Sequence, residues 1–368
     1  MSKVKFLDGL RGICCFIVLI DHSINVLKPD LRHTGMTDIG GYIRRIISLS
    51  PLNIIYSGIG PVCIFFILSG FVLSIKYFKN RDGDILVDGC IKRYPRLMLP
   101  ILSSLVFMYV MYQASNMLLG SNFELTFLDA LYQAVYLAPF THSPMDNYPL
   151  WTISYEILGS FLLFATVALF AGQKKRVAFT FVVFAFLYLS NSLYCLFIFG
   201  SILCEFKNHK LANPSRLIKG ILFLIGLLFI STPFRREGVE LYAGVYKYLS
   251  VLDWVDYGKL YNFLLMTGSM MVFYSVLNSE LAVKTLGTKL FVFLGRISFP
   301  LYLTHATILA LAVAFMNHKG MDQSLYHYAV MMVFIVPICL LVSDIFERFI
   351  DVPAVKFSAK VSKAILQK

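Results

Sequence analysis

The stretch FLDGLRGICCFIVLIDHS, Phe6 to Ser23, decides the fold. Most of it is apolar, and it has the length of a helix that crosses about 30 Å of hydrocarbon. Yet it carries Asp8, Arg11, Asp21 and His22. At about 100° per residue, Arg11 and His22 differ by about 20° after full turns, so they share one helix face. Along the axis they are about 16 Å apart. A cation near one membrane surface and an imidazole deep in the other half, on one face, describe the wall of a cavity. Ionisable groups inside a membrane cost about 2.5–3.5 kcal/mol on insertion scales and face protein interiors. The plainer alternative is a snorkelling Arg11 that sets orientation and a His22 satisfied at a helix interface.

The rest of the chain is similar material. Of its 368 residues 58% are hydrophobic and 15% charged, and the mean hydropathy is +0.72. A soluble domain has about 25% charged residues. Ten apolar blocks read as spans: 7–27, 54–76, 97–116, 149–171, 176–191, 193–207, 216–234, 259–278, 289–316 and 326–350. The expected fold is all-α, a polytopic membrane bundle of about ten transmembrane helices with interfacial elements. The fifth and sixth blocks are short. The first has no A-x-A-like cleavage site and reads as a retained helix. No repeat of 20–50 residues is visible. The seven cysteines form no CxxC pair and imply neither a metal site nor a disulfide framework.

The formal charge of +12 would suggest nucleic acid in a soluble protein. In a membrane protein it reads as a positive-inside bias, so no nucleic-acid partner is expected. With the N-terminus inside, Lys3, Lys5 and Arg11, the stretch 76–96, KKR at 174–176, Lys207, Lys210, Arg216, Lys219, Lys284, Lys289 and the basic tail all fall inside. That is about two-thirds of the 33 basic residues. Both termini are therefore expected in the cytoplasm. Residues 1–352 would form the membrane domain, and 353–368 a basic cytoplasmic tail. The segment LDALYQAVYLAPF, 128–140, is expected to be interfacial or re-entrant, because a crossing would put QKKR at 173–176 outside. The stretch 79–100 reads as an inner interfacial loop and helix feeding the third span.

Other polar residues recur at helical spacing. In FFILSGFVLS, 65–74, Ser69 and Gly70 interrupt a bulky run, which close helix packing alone would explain. In KRYPRLMLP, Arg93 and Arg96 share a face, as a positive-inside cluster or as a clamp for phosphate. In YPLWTISYEI, Trp151 fits an aromatic belt, and Glu156 lies on the face of Thr152, where a carboxylate needs a partner such as His22. In GRISFPLYLTHATI, Ser298, Tyr302 and His305 fall on one stripe.

Taken together these motifs resemble the acyltransferase-3 family of membrane acyltransferases. The resemblance starts at LDGLRG with Arg11 and His22. It runs through FFILSGF, Arg93 and Arg96, and LWTISYE, and ends with GRISFPLYLTH and FERFIDVPA, 346–354. It implies transfer of an acyl group, commonly acetyl, from acyl-coenzyme A to a hydroxyl of a carbohydrate or glycolipid acceptor. Arg11 and His22 correspond to the family's first-span pair, and Arg93 and Arg96 to its donor-side motif. Ile157 stands where many members have a second acidic residue. Some members carry a further extracytoplasmic hydrolase-like domain. This chain ends about 18 residues after its last span, so the reaction is expected to finish in the membrane domain.

The expected roles follow. His22 is the general base, with Asp21 or Glu156 orienting it, and a covalent acyl-imidazole relay stays open. Arg11, Arg93 and Arg96 bind the donor, acetyl-coenzyme A, which is a substrate; no bound cofactor and no metal are expected. Ser69, Trp151, Tyr302 and His305 serve the acceptor or the oxyanion. The expected location is a bacterial inner membrane, in contact with the lipid bilayer. A transporter or flippase would also use buried polar residues, but no inverted hydropathy repeat is evident. A non-catalytic scaffold leaves the Arg11–His22 spacing unexplained.

Overall fold

Within hydrocarbon a segment must satisfy its own backbone hydrogen bonds, and a helix does so without a neighbour. The computed structural model describes residues 5–35, 39–206 and 214–367, and these contain helices and no strand. Lys3, Lys207 and Lys210, which enter the charge argument, lie outside the described residues. The helices are α1 (Lys5–Leu27), α2 (Ile39–Ser48), α3 (Ile59–Asn80), α4 (Asp84–Leu119), α5 (Phe127–Tyr132), α6 (Trp151–Phe170) and α7 (Arg176–Leu189). They continue as α8 (Cys195–Phe206), α9 (Arg216–Ile230), α10 (Tyr257–Leu277), α11 (Glu280–Leu286), α12 (Lys289–His318), α13 (Leu325–Phe346) and α14 (Val352–Ile365).

Each of the ten expected blocks is helical, but they are not of one kind. Among the described residues seven helical segments have the length and apolarity to cross a membrane: α1, α3, α4, the 148–170 segment containing α6, α10, α12 and the run Leu325–Ile365. The remaining three, α7, α8 and α9, have 14, 12 and 15 residues. At 1.5 Å per residue α7 and α9 are about 21–22 Å long, short of the hydrocarbon thickness, and Phe206 is the last described residue of α8. Large apolar side chains such as Phe186, Leu189, Leu224 and Val333 face outward, as a lipid-covered protein requires.

The two segments read as interfacial are largely helical. The inner loop and helix at 79–100 is largely the first half of α4, a single helix of 36 residues. The 128–140 segment is α5, a π turn at Gln133–Leu137 and a last turn at Ala138–Phe140. Thr126 and Asp129 cap its start reciprocally. Its buried Ala130, Ala134 and Ala138 join Leu105 and Met108 of α4 in one core. As a helix, residues 127–140 extend about 21 Å, too little to cross.

The chain divides into two compact units: Met1–Asn25, Pro29–Lys79 and Leu169–Gly295 form the first, and Val26–Lys28, Asn80–Ala168 and Arg296–Lys368 the second. In the first unit glycines set the helix spacing. An added Cβ at Gly9 would lie 2.0 Å from the Leu286 carbonyl, and one at Gly295 would lie 2.0 Å from the Asp8 carbonyl. The glycines of LDGLRG and GRISFP therefore let two backbones touch. Gly70 and Gly200 do the same for α3 and α8, with a Cβ at Gly70 2.0 Å from the Phe197 carbonyl. Ser74 then donates to the Gly70 carbonyl at 2.8 Å and lies 2.9 Å from the Ser201 hydroxyl. Close packing, the plainer reading of FFILSGFVLS, accounts for Gly70.

In the second unit the basic tail is helical rather than loose. A π turn, Glu347–Asp351, carries α13 into α14, and α14 packs along α4. Ser362 donates to Asp88 at 2.6 Å. Asp351 accepts two hydrogen bonds from Arg96, at 2.5 and 3.2 Å.

Two outcomes are expected from this packing. Gly70→Ala should lower stability by about 1–3 kcal/mol, the usual cost of overpacking. Gly172→Ala, which meets nothing within 4 Å, should change it by less than about 0.5 kcal/mol. Unfolding in mixed micelles measures both. In a double-mutant cycle, Arg96→Gln and Asp351→Asn should show a coupling of about 0.5–3 kcal/mol; purely additive losses would contradict a structural ion pair.

Candidate functional site

In the first unit the polar cluster is built around the C-terminal half of α1. Arg11 pairs with Asp8, one turn before it, at 3.6 Å. Asp21 is 3% exposed, and its carboxylate Oδ2 lies 3.6 Å from His22 Nε2. That is too long for a hydrogen bond. The stronger partner of Asp21 is Arg32, at the end of a 3-10 turn, Pro29–Arg32. Arg32 Nη2 donates to Asp21 Oδ1 at 2.8 Å and to the Asp21 carbonyl at 2.9 Å. Its Nη1 donates to the Tyr56 carbonyl at 2.6 Å, and its guanidinium carbon lies 5.2 Å from the Tyr56 ring centroid.

Asn25 completes the cluster. It donates to Asp21 Oδ2 at 3.2 Å and accepts a hydrogen bond from Arg236. Burial, then repulsion from Arg32, lowers the Arg236 pKa from the usual arginine range, and attraction to Asp21 opposes this. Arg32, Asn53, Tyr56, Ser57, Arg236 and Tyr261 help to line a cavity of about 20 Å³, room for one water.

In the second unit the expected donor and acceptor residues occupy separate clusters. Arg93 of α4 is ion-paired with Glu156 of α6, and it also donates to the Glu156 carbonyl at 3.3 Å. Glu156, expected as a partner for His22, thus has an arginine partner. Arg96 is held by Asp351 and lies 5.5 Å from the Phe299 ring centroid. Arg296 joins Asp344 and donates to Glu347 at 2.7 Å. The closing FERFIDVPA motif therefore supplies carboxylates to arginines of two other helices.

Tyr302 donates to the Pro149 carbonyl at 2.8 Å and lies 2.9 Å from the Thr152 hydroxyl. His305 is 1% exposed, and its Nδ1 lies 2.8 Å from the Leu301 carbonyl. A carbonyl can only accept, so the proton is assigned to Nδ1. Trp151 meets the Tyr155 ring edge-on at 5.6 Å. Tyr302 and His305 of α12 lie with ring centroids 6.0 Å apart, and Tyr302 meets the start of α6 at Thr152. Ser69 lies half-buried on α3, in the first unit.

Several residues here carry no sequence signal of their own. Arg32 and Arg236 lie in polar connecting segments and resemble ordinary loop cations. Asn147 is fully buried and donates to the Leu303 carbonyl at 2.8 Å, while its Oδ1 has no partner among the described residues. His142 stacks on Tyr155 at 4.0 Å, with Nδ1 2.5 Å from the Ser154 hydroxyl. Partial burial lowers the His142 pKa. The π turn that aims Glu347 and Asp351 at their arginines also has no local signature.

Comparison with known proteins gives the chemistry a class. The Acyl_transf_3 family model, described as an acyltransferase domain, matches residues 4–344. O-acetyltransferase PaAT-1 of Phomopsis amygdali is 24% identical over an alignment of 437 residues, which covers all of this chain and 86% of that protein. No solved structure matches. An enzyme is thereby favoured over the transporter and scaffold readings. The chain belongs to the acyltransferase-3 family and is an integral membrane acyltransferase.

Proposed function

We propose that the protein moves an acetyl group from acetyl-coenzyme A to a hydroxyl of a carbohydrate or glycolipid, in a bacterial inner membrane with both termini cytoplasmic. The observation that carries this reading is His22: an imidazole within a buried polar cluster on an otherwise apolar helix whose inner end bears Arg11. The O-acetyltransferase relative, matched along the whole chain, supports acetyl as the group moved and oxygen as its destination.

The reaction needs one proton carrier. His22 takes the proton of the acceptor hydroxyl as the oxygen attacks the thioester carbonyl. The tetrahedral intermediate then expels coenzyme A thiolate, and the imidazolium returns the proton to sulfur. An acetyl ester and coenzyme A result, and His22 ends as it began. Tyr302 and His305 contribute to binding the acceptor or the oxyanion, with Ser69 and Trp151 in supporting roles. Arg11, Arg93 and Arg96 receive the anionic donor. Arg96 gives two of its five N–H donors to Asp351, so it keeps capacity for phosphate oxygens.

Turnover and donor binding separate these roles. With purified protein and labelled acetyl-coenzyme A, His22→Ala should lose about 10²–10⁴ in rate and keep donor affinity; near-normal turnover at normal protein levels would remove the base. Replacing Arg93 and Arg96 together with Ala should weaken donor binding in protein that still inserts, and unchanged affinity would remove the clamp. Comparing O-acetyl groups on surface polysaccharides of cells with and without the gene tests the acceptor class.

A further inference from the structure

We infer that Arg32 is a positioning residue for His22, acting through Asp21; this rests on the proposed role of His22 as base. Arg32 is 6% exposed. One guanidinium joins three pieces of chain: the turn Pro29–Arg32 that carries it, Asp21 on α1, and Tyr56 at the end of the Pro51–Tyr56 turn. It grips Asp21 twice, by the carboxylate and by the backbone carbonyl. A bond to the carbonyl fixes the helix itself and not merely a side chain.

The next residue is His22, about 100° further round the helix. Holding Asp21 therefore sets both the rotation of α1 and the direction in which the imidazole leaves it. Asn25, one turn on, is tied to the same carboxylate, and Arg236 holds Asn25 in turn. Gly58 closes the remaining side: a Cβ there would lie 2.6 Å from Asp21 Oδ2. The carboxylate is thus boxed in by Arg32, Asn25 and Gly58, 3.6 Å from His22 Nε2.

A lysine could not take over this role. One ammonium has no planar fork to span acceptors on separate segments. The arrangement also explains why a buried arginine occurs in a connecting segment, where a solvated cation would be the ordinary expectation.

The test uses the full-length protein in native membranes and follows transfer of labelled acetyl from acetyl-coenzyme A to membrane material. Arg32→Ala should lower kcat by about 10²-fold, the scale of a roughly 1 Å misplacement, with the donor KM unchanged. Millimolar guanidinium should restore part of that loss in Arg32→Ala and none in His22→Ala, while Arg32→Lys stays impaired. Gly58→Ala moves the Asp21 carboxylate without removing a charge and should show the same kcat-only loss, which keeps the test sound if Arg32→Ala folds poorly. Normal kcat in folded Arg32→Ala or Gly58→Ala overturns the assignment, as does a loss that appears in KM or one that guanidinium leaves untouched. An inactive His22→Ala beside active Arg32→Ala and Gly58→Ala would overturn positioning alone. An active His22→Ala would overturn the base on which it rests.

Discussion

Asp21 and Arg32 are both ionisable and both buried, and each is tolerable in its place because of the other. An isolated buried ion carries a penalty of several kcal/mol even after the protein relaxes. A paired one recovers much of it when its remaining lone pairs and protons are satisfied. The same constraint organises the second unit. Arg93 is answered by Glu156, Arg96 by Asp351, and Arg296 by Asp344 and Glu347. These three arginines tie α4 to α6, α4 to the π turn after α13, and α12 to α13. Among apolar surfaces that would slide past one another at little cost, paired charges specify one register.

Small residues do the complementary work. Lipid is as apolar as leucine, so helices in a membrane gain little from burying leucine and more from close backbone approach. Gly9, Gly12, Gly70, Gly200, Gly226, Gly268 and Gly295 all stand where an added Cβ would fall under 3 Å from a neighbouring atom. Several of them belong to the same motifs that carry the polar chemistry. LDGLRG places Arg11 between contacts that would not survive a methyl group. The motif that carries the family resemblance is thus also a packing motif, and part of its pattern reflects packing.

Much of this was legible in the sequence. Among the described residues hydropathy located the apolar helices, and helical spacing put Tyr302 with His305, whose ring centroids lie 6.0 Å apart. What was not legible has two physical causes. Helix length depends on where backbone hydrogen bonding stops, and hydropathy does not record it. So α4 runs well into its polar flank, while α7 and α9 stop short of a full span. The second cause is that a long-range partner leaves no local mark. Asp351 is 255 residues from Arg96, and Arg32 reads as an ordinary loop cation until the fold brings Asp21 to it. Glu156 was correctly expected to need a partner. Its identity could not be chosen among the available cations, and in its own unit Arg93 is a partner.

The ion pairs also bear on how the two motif arginines could receive a donor. A free arginine carries about 2 kcal/mol of side-chain rotamer entropy, which any ligand must suppress. Asp351 holds Arg96 with two hydrogen bonds, so that ordering is met by the fold before a donor arrives. The carboxylate competes for the same guanidinium, however, and lowers the net charge a phosphate would feel. Under the proposed donor role, Arg93 and Arg96 would then contribute direction more than attraction. Arg11 lies 3.6 Å from Asp8, with its side chain 35% exposed. Partial exposure leaves the Arg11 guanidinium solvated, whereas the two on α4 are held in place by carboxylates of their own unit.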